Sequence, residues 1–430
     1  MMRLEVGTIQ IRDIEIGRAT ALSDHTLVID PEELRALVLE DSHFADVQVH
    51  LVKPGESIRV IHVLDVVEPC WKVAGPGGVF PGFVSPALTV GEGRTHRLAG
   101  VAVVEVGAPV PGESTVFRQR LIDMDGPGAE LSPFGRTLNV ALEFIPNMAC
   151  FPPGSEQIKD FLTGGPESHE YNRAVLTAGL KVAARLGHTA REATPDDIET
   201  FELSPCDPAL PRVVCLLQEV TATPFLYSVH VSLPLGAMLH PNEFFDGAVV
   251  RWNRGYVGST YGEQNHPVLV ELCRRHGRDL NFVGCIVFGG ATVSSAEKEA
   301  SSSAVSKMAR VLRADAALVV GLNGSNHAVD LMLTIQKCER AGIKTALVYN
   351  DVGEGPDDPG FIFAVPEADA IVSAGSRVQK VTLPKMARLI GGEHLVDPYM
   401  DARGELTVPM RYLCCSVDTT ANTRQTVRFE

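Results

Sequence analysis

The sequence predicts an α/β protein in which a mainly β (α+β) N-terminal domain precedes a doubly wound parallel-sheet α/β domain. Three observations predict it. Up to about residue 150, short runs alternate apolar and polar positions, the period of half-buried strands. From residue 281 onward, wholly apolar runs of strand length alternate with amphipathic helical segments, as in sheets covered on both faces. The chain has 430 residues, enough for two or three cores.

The elements follow in order. Leu4, Val6, Ile9 and Ile11 open a strand or hairpin, and Thr26 to Ile29 form a second strand. Pro31 to Leu39 is a short helix with Asp30 as N-cap and Glu33 placed for a capping box. Val47 to Val52 is a strand closed by the turn Lys53-Pro54-Gly55-Glu56, with Ile58 to Val66 expected as its partner. Residues 75–93, rich in glycine and proline, read as a long ordered loop anchored by Phe80-Pro81-Gly82-Phe83. His96 to Val106 returns to strand. A helix from Glu170 to Leu186 ends at Gly187, and residues 213–220 form a buried strand.

Beyond 281, Val283 to Phe288, Ala316 to Val320, Thr345 to Tyr349 and Ala370 to Ser373 are strands. Ala296 to Leu312 and Val329 to Arg340 are the helices between them. The expected organisation is a β domain over 1–150 and a connecting region over 151–280. An α/β domain over 281–403 and a tail over 404–430 packed on the body complete it.

Composition narrows the function. The net charge of −15 repels phosphate backbones and argues against nucleic acid as a partner. The N-terminus lacks a signal-peptide core, and no apolar run reaches membrane-spanning length, so a cytoplasmic protein is expected. Nine cysteines at irregular spacing, without a CxxC pair, suit neither a disulfide framework nor a zinc site of the usual spacing. Cys215, Cys285 and Cys338 read as core residues, and the adjacent Cys414 and Cys415 as a vicinal pair. No Walker, GxGxxG or GxSxG motif occurs, so neither nucleotide nor metal is expected.

Candidate site residues concentrate in 238–266, MLHPNEFFDGAVVRWNRGYVGSTYGEQNH. His240, Glu243 and Asp246 are spaced i, i+3, i+6. They either converge on a ligand or start a helix at Pro241, whose N-terminus the carboxylates favour. Trp252, Tyr256 and Tyr261 either bind a methylated ammonium group by cation–π attraction or pack a loop. Sheet-end loops at 289–292, 321–327 and 350–360 supply two more candidates, Asn323 and Asn326, since ligands of open α/β sheets lie beyond the carboxyl ends of the strands.

A colinear set of segments resembles one family. It includes LEVGTIQIRDIEIG (4–17), VKPGESIRV (52–60), FPGF with GEG (80–83 and 91–93) and LIDMDGPGAE (121–130). NRAVLTAGLKVAARLG (172–187), PDDIETFEL (195–203) and HPNEFFDGAVV (240–250) follow. HPVLVELCRRHGRDLNFVGCIV (266–287), SAEKEASSSAVSKMARVLRADAALV (295–319), ERAGIKT (339–345) and ADAIVSAG (368–375) complete it. These resemble the component B proprotein of the glycine, sarcosine and betaine reductases. The resemblance implies a subunit that binds a small amine for reductive C–N cleavage. It implies a partner subunit carrying a selenocysteine or cysteine nucleophile, and an oligomeric complex. It also implies self-cleavage before a cysteine that leaves a pyruvoyl group, able to form a Schiff base with a substrate amine.

The sequence departs from that pattern at the cleavage point. In the family, a cysteine follows an asparagine shortly after the DGA phrase. Here Asn253 is followed by Arg254, and no cysteine lies between Cys215 and Cys273. Arginine cannot perform an N-to-S acyl shift, and only Ser259 or Thr260 offers the oxygen version. The expectation is a reductase subunit without its own pyruvoyl. The alternative is a non-catalytic scaffold that stabilises a catalytic partner.

Overall fold

The computed structural model describes residues 2–113, 119–157, 165–219, 224–230, 233–251, 258–289, 294–322, 326–353, 360–396 and 399–417. Its N-terminal part is built on two four-stranded sheets. In the first the order is Asp197–Glu202, Arg3–Gln10, Gly93–Ala99 and Cys70–Ala74. In the second it is Phe44–Val52, Leu138–Pro146, Val101–Val106 and Val63–Val67. The helix Pro166–His188 covers them and buries Val175, Leu176, Leu180, Val182 and Ala183 in a core shared with Val101, Val103, Val140 and Leu142. Each of these valine and leucine side chains contributes about 1.5–3 kcal/mol on full burial.

Local signals read correctly where the chain interacts with itself at short range. Asp30 caps the helix Pro31–Val38 by accepting from the Glu32 amide at 3.0 Å. Glu33 does not close a capping box. Its carboxylate instead accepts from the Thr20 amide at 3.1 Å and from Arg185 at 2.6 Å, a charged partner on another helix.

Strand pairing differs from expectation. Ile58 to Val66 is two strands, broken at His62, whose φ of 55° lies in the left-handed region. His62 Nδ1 bonds the Gly391 carbonyl at 2.7 Å and holds that kink. Ile58–Ile61 pairs with Leu121–Asp123 and with Arg388–Ile390, so residues 388–390 join two strands of the first 150 residues in a separate three-stranded sheet. Phe44–Val52 pairs with Leu138–Pro146, a strand the alternation did not reveal. Periodicity fixes which face a strand buries, not which strand lies beside it.

The second half carries a six-stranded sheet in the order Leu233–Leu239, Asn281–Gly289, Arg212–Glu219, Ala316–Leu322, Lys344–Asp351, Ile371–Ser376. All neighbours are parallel except the edge strand Leu233–Leu239. One face packs on the helices Ser295–Val311 and His327–Arg340 through Val305, Ala309, Leu331 and Ile335. The other packs on Pro267–Arg275 through Val268, Leu269 and Leu272, together with Leu4, Val6, Phe244 and Phe245. With helices on both faces of a largely parallel sheet, the protein is α/β. Arg212–Glu219 sits at the point where the strand order reverses, and in open α/β sheets ligands lie beyond the carboxyl ends of the strands at such a point.

Candidate functional site

His240 and Glu243 start the short helix Pro241–Phe245. His240 Nδ1 accepts from the Asn242 amide at 3.2 Å, and Glu243 accepts from the His240 amide at 2.6 Å and from the Tyr227 hydroxyl at 2.5 Å. Burial holds the His240 imidazole down to about 4, so it is neutral at pH 7 and suited to accept. Asp246 is fully buried and receives Lys72 Nζ at 2.5 Å, Thr95 Oγ1 at 2.5 Å and the Gly91 amide at 2.7 Å. The i, i+3, i+6 spacing therefore serves a capping box and an anchor for residues 72–95. Among the described residues, no three His, Cys, Asp or Glu side chains are grouped to hold a metal.

A second cluster joins both halves of the chain. Arg251 is buried and reaches Glu219 by Nη1 at 2.5 Å and Glu263 by Nε at 2.6 Å. Its amide donates to Thr260 Oγ1 at 3.0 Å. Thr260 in turn donates from its amide and its hydroxyl to the two oxygens of Asp65, at 2.9 Å and 2.5 Å. Burial pushes the Asp65 carboxyl up to about 6, against the pull of the Thr260 donors and of Arg120. Arg120 Nη1 donates to the Gly258 carbonyl at 2.7 Å. Gly258 has φ +82°, and a Cβ there would lie 2.7 Å from the Arg251 guanidinium, so only glycine fits. Ser259 Oγ accepts from the Gly262 amide at 3.0 Å and caps the helix Thr260–Gln264.

Beside this cluster lies a cavity of about 290 Å³. Glu68, Arg97, Gln264 and Asn265 form its polar wall, and Phe201 and Phe245 belong to its apolar one. Asn265 bridges the two charged residues: its Oδ1 accepts from Arg97 Nη1 at 2.7 Å, and its Nδ2 donates to Glu68 at 2.9 Å. Gln264 Nε2 reaches the thiol of Cys70 at 3.3 Å.

Of the other candidates, Tyr261 packs edge-on against Phe134, ring centroids 5.3 Å apart, and burial pushes its hydroxyl up. Asn326 precedes the helix His327–Arg340 without a side-chain cap, and its carbonyl accepts from Lys298 at 3.2 Å. Trp252, Asn253, Arg254, Tyr256 and Asn323 lie outside the described residues. Sequence reasoning missed Asp65, Glu68, Arg97, Arg120 and Glu219. Asp65 and Glu68 had a readable signal: carboxylates at or beside an otherwise apolar strand, Val63–Val67, which is an expensive place for a charge without partners.

The fold and these sites define an α/β protein with a buried ionic cluster and a small polar cavity where its two halves meet. Residues 2–406 match the family described as glycine/sarcosine/betaine reductase component B subunits, and the chain belongs to that family. It is 34% identical over 404 residues to the glycine reductase complex component B subunits alpha and beta of Acetoanaerobium sticklandii, covering 91% of this chain and 89% of that one. It is 33% identical over 404 residues to the sarcosine reductase complex component B subunit alpha of Peptoclostridium acidaminophilum, with the same coverage. The betaine reductase complex component B subunit alpha of that organism is 31% identical over 413 residues, 91% of this chain and 88% of that one. No solved structure matches. No helix among the described residues is long and apolar enough to cross a membrane.

Proposed function

We propose that this chain is the substrate-binding subunit of a glycine/sarcosine/betaine reductase-like complex. It holds a small amine or methylated amino acid in the cavity for reductive C–N cleavage by a thiol or selenol on a partner subunit. The observation that carries this reading is the cavity itself: Phe245, Gln264 and Asn265 from the segment singled out in the sequence line an open, polar-walled space. A scaffold would fill that place with apolar packing. The named activities of the relatives, on glycine, sarcosine and betaine, agree with the size of the space.

The chain works, on this reading, without a pyruvoyl group of its own. The residues that remain do not fit the group. Ser259 Oγ is engaged as a helix cap, and the Thr260 hydroxyl donates to Asp65. Both hydroxyls are engaged elsewhere, and in the resembled pattern a cysteine follows the asparagine, where this chain has Arg254 after Asn253. A substrate whose nitrogen carries no hydrogen cannot form a Schiff base, so a methylated ammonium compound suits such a subunit. In the bond exchange, the partner's thiolate or selenolate forms the new bond to the carbon that carries nitrogen, and the amine departs with the C–N pair.

The test is the intact mass of the purified, denatured protein beside labelling with a carbonyl-reactive probe. One unlabelled species at the full 46.3 kDa is expected. Two fragments, split before Ser259 or Thr260 and with a labelled new N-terminus, overturn the reading that the chain lacks the group. Titration with glycine, sarcosine and betaine separates a substrate subunit from a scaffold, which binds none of them.

A further inference from the structure

Arg97 is the one cation lining the cavity that takes no ion pair among the described residues. It projects from the strand Gly93–Ala99. Its Nε donates to Thr8 Oγ1 at 3.0 Å and its Nη1 to Asn265 Oδ1 at 2.7 Å, both neutral acceptors, and neither bond uses Nη2. The other lining guanidinium, Arg274, is spent on a two-pronged pair with Glu199 at 2.6 and 2.9 Å.

Glu68, which shares Asn265 with Arg97, makes no ion pair with it. It is 3% exposed. Burial raises its pKa, while the attraction of Arg97 and the Asn265 hydrogen bond pull it down. A guanidinium lining a partly enclosed space, with neutral acceptors on two of its three nitrogens and no ion pair among the described residues, is a site for an anion. Its planar fork matches a carboxylate. The rest of the lining limits what that anion carries. Val6, Phe201, Phe245 and Val270 leave room for a short carbon skeleton. Glu199 and Glu271 outnumber Arg274 among the remaining charged residues of the lining, which disfavours a multiply charged anion such as phosphate and favours a positive group on the same ligand.

We propose that the cavity takes its ligand by the carboxylate, on Arg97, and that Arg97 is the residue that selects amino-carboxylic acids over amines lacking a carboxylate. This inference rests on the reading of the cavity as the amine site, and it adds which end of the ligand is recognised.

Isothermal titration calorimetry on the full chain tests it, with glycine, betaine, methylamine, tetramethylammonium and inorganic phosphate as probes. The wild type is expected to prefer glycine or betaine over its carboxylate-free counterpart by roughly tenfold or more, as for a charge-assisted pair. Arg97→Gln is expected to abolish the preference, and Arg97→Lys, which keeps the charge without the fork, to retain part of it. Melting curves for both variants show that the fold survives. If Arg97→Gln does not fold, partial retention by Arg97→Lys still supports the assignment, and an unchanged preference in Arg97→Lys overturns the role of the fork. Methylamine binding as tightly as glycine overturns the role of Arg97 while leaving the amine site in place. Phosphate binding more tightly than glycine overturns the ligand class. Silence from every probe overturns both this inference and the reading beneath it.

Discussion

Asp65 and Thr260 are 195 residues apart in the chain and share two hydrogen bonds, amide to Oδ1 at 2.9 Å and hydroxyl to Oδ2 at 2.5 Å. A buried carboxylate on a strand of the N-terminal sheets thereby fixes the start of the helix Thr260–Gln264. That helix positions Gln264 and leads directly into Asn265 at the cavity wall. Thr260→Val keeps the shape and removes the hydroxyl, which takes a donor from Asp65 and an acceptor from the Arg251 amide. A loss of about 1–3 kcal/mol is expected in urea unfolding, with Thr260→Ser close to wild type. A Thr260→Val protein as stable as wild type would show that the two bonds of this hydroxyl contribute nothing net.

The same carboxyl predicts a pH dependence. Its pKa rises from 3.8 to about 6 in the folded protein because burial disfavours the charge. The folded state then holds the proton more tightly than the unfolded state does. Asp65 therefore contributes most to stability below its unfolded value, and that contribution is lost as pH rises from about 4 to about 6. Asp65→Asn should flatten this limb. The measurement is the difference in urea midpoint between wild type and variant at pH 4, 5, 6 and 7. A constant difference over that range is the contrary result.

Asp246 and Lys72 form a buried pair with side-chain exposures of 0% and 6%. Asp246→Ala leaves an ammonium without a counter-ion inside the protein and is expected to cost about 3–5 kcal/mol. The double substitution Asp246→Leu with Lys72→Met removes both charges and should recover much of that loss. Thermal melts of Asp246→Leu, Lys72→Met and the double variant form the cycle. Additive losses would mean that the charges act independently.

Arg59 is fully buried and binds Asp123 by two bonds, at 2.6 and 2.9 Å. It also donates to the carbonyls of Ala402 at 2.6 Å, Pro384 at 2.9 Å and Gly404 at 3.2 Å. One side chain thus holds residues 384–404 against the strands Ile58–Ile61 and Leu121–Asp123. Arg59→Met should open that region to limited proteolysis before the rest of the chain, because three carbonyls lose their donor and Asp123 loses its partner. Cleavage that begins elsewhere would place the restraint on other contacts.

Much of the helical architecture was legible because its signals are local. The segment read as Glu170 to Leu186 forms the core of Pro166–His188, and Val329 to Arg340 forms most of His327–Arg340. The apolar strands at 283–288 and 316–320 were readable for the same reason, since both faces are buried. Ile58 to Val66 was not. Its break at His62 depends on Gly391, 329 residues away, and no window of sequence contains that partner.

The candidate residues divide along the same line. By itself, the sequence determined the α/β class and the family, because period, order and spacing are properties of the linear chain. Only the tertiary structure decided that Glu243 and Asp246 are occupied by a cap and an anchor. It alone brought Asp65, Arg120 and Glu219 to Thr260 and Arg251, and set Arg97 in a cavity with Glu68. Burial and the approach of distant side chains give a carboxylate or a guanidinium its chemistry, and both exist only once the chain has closed on itself.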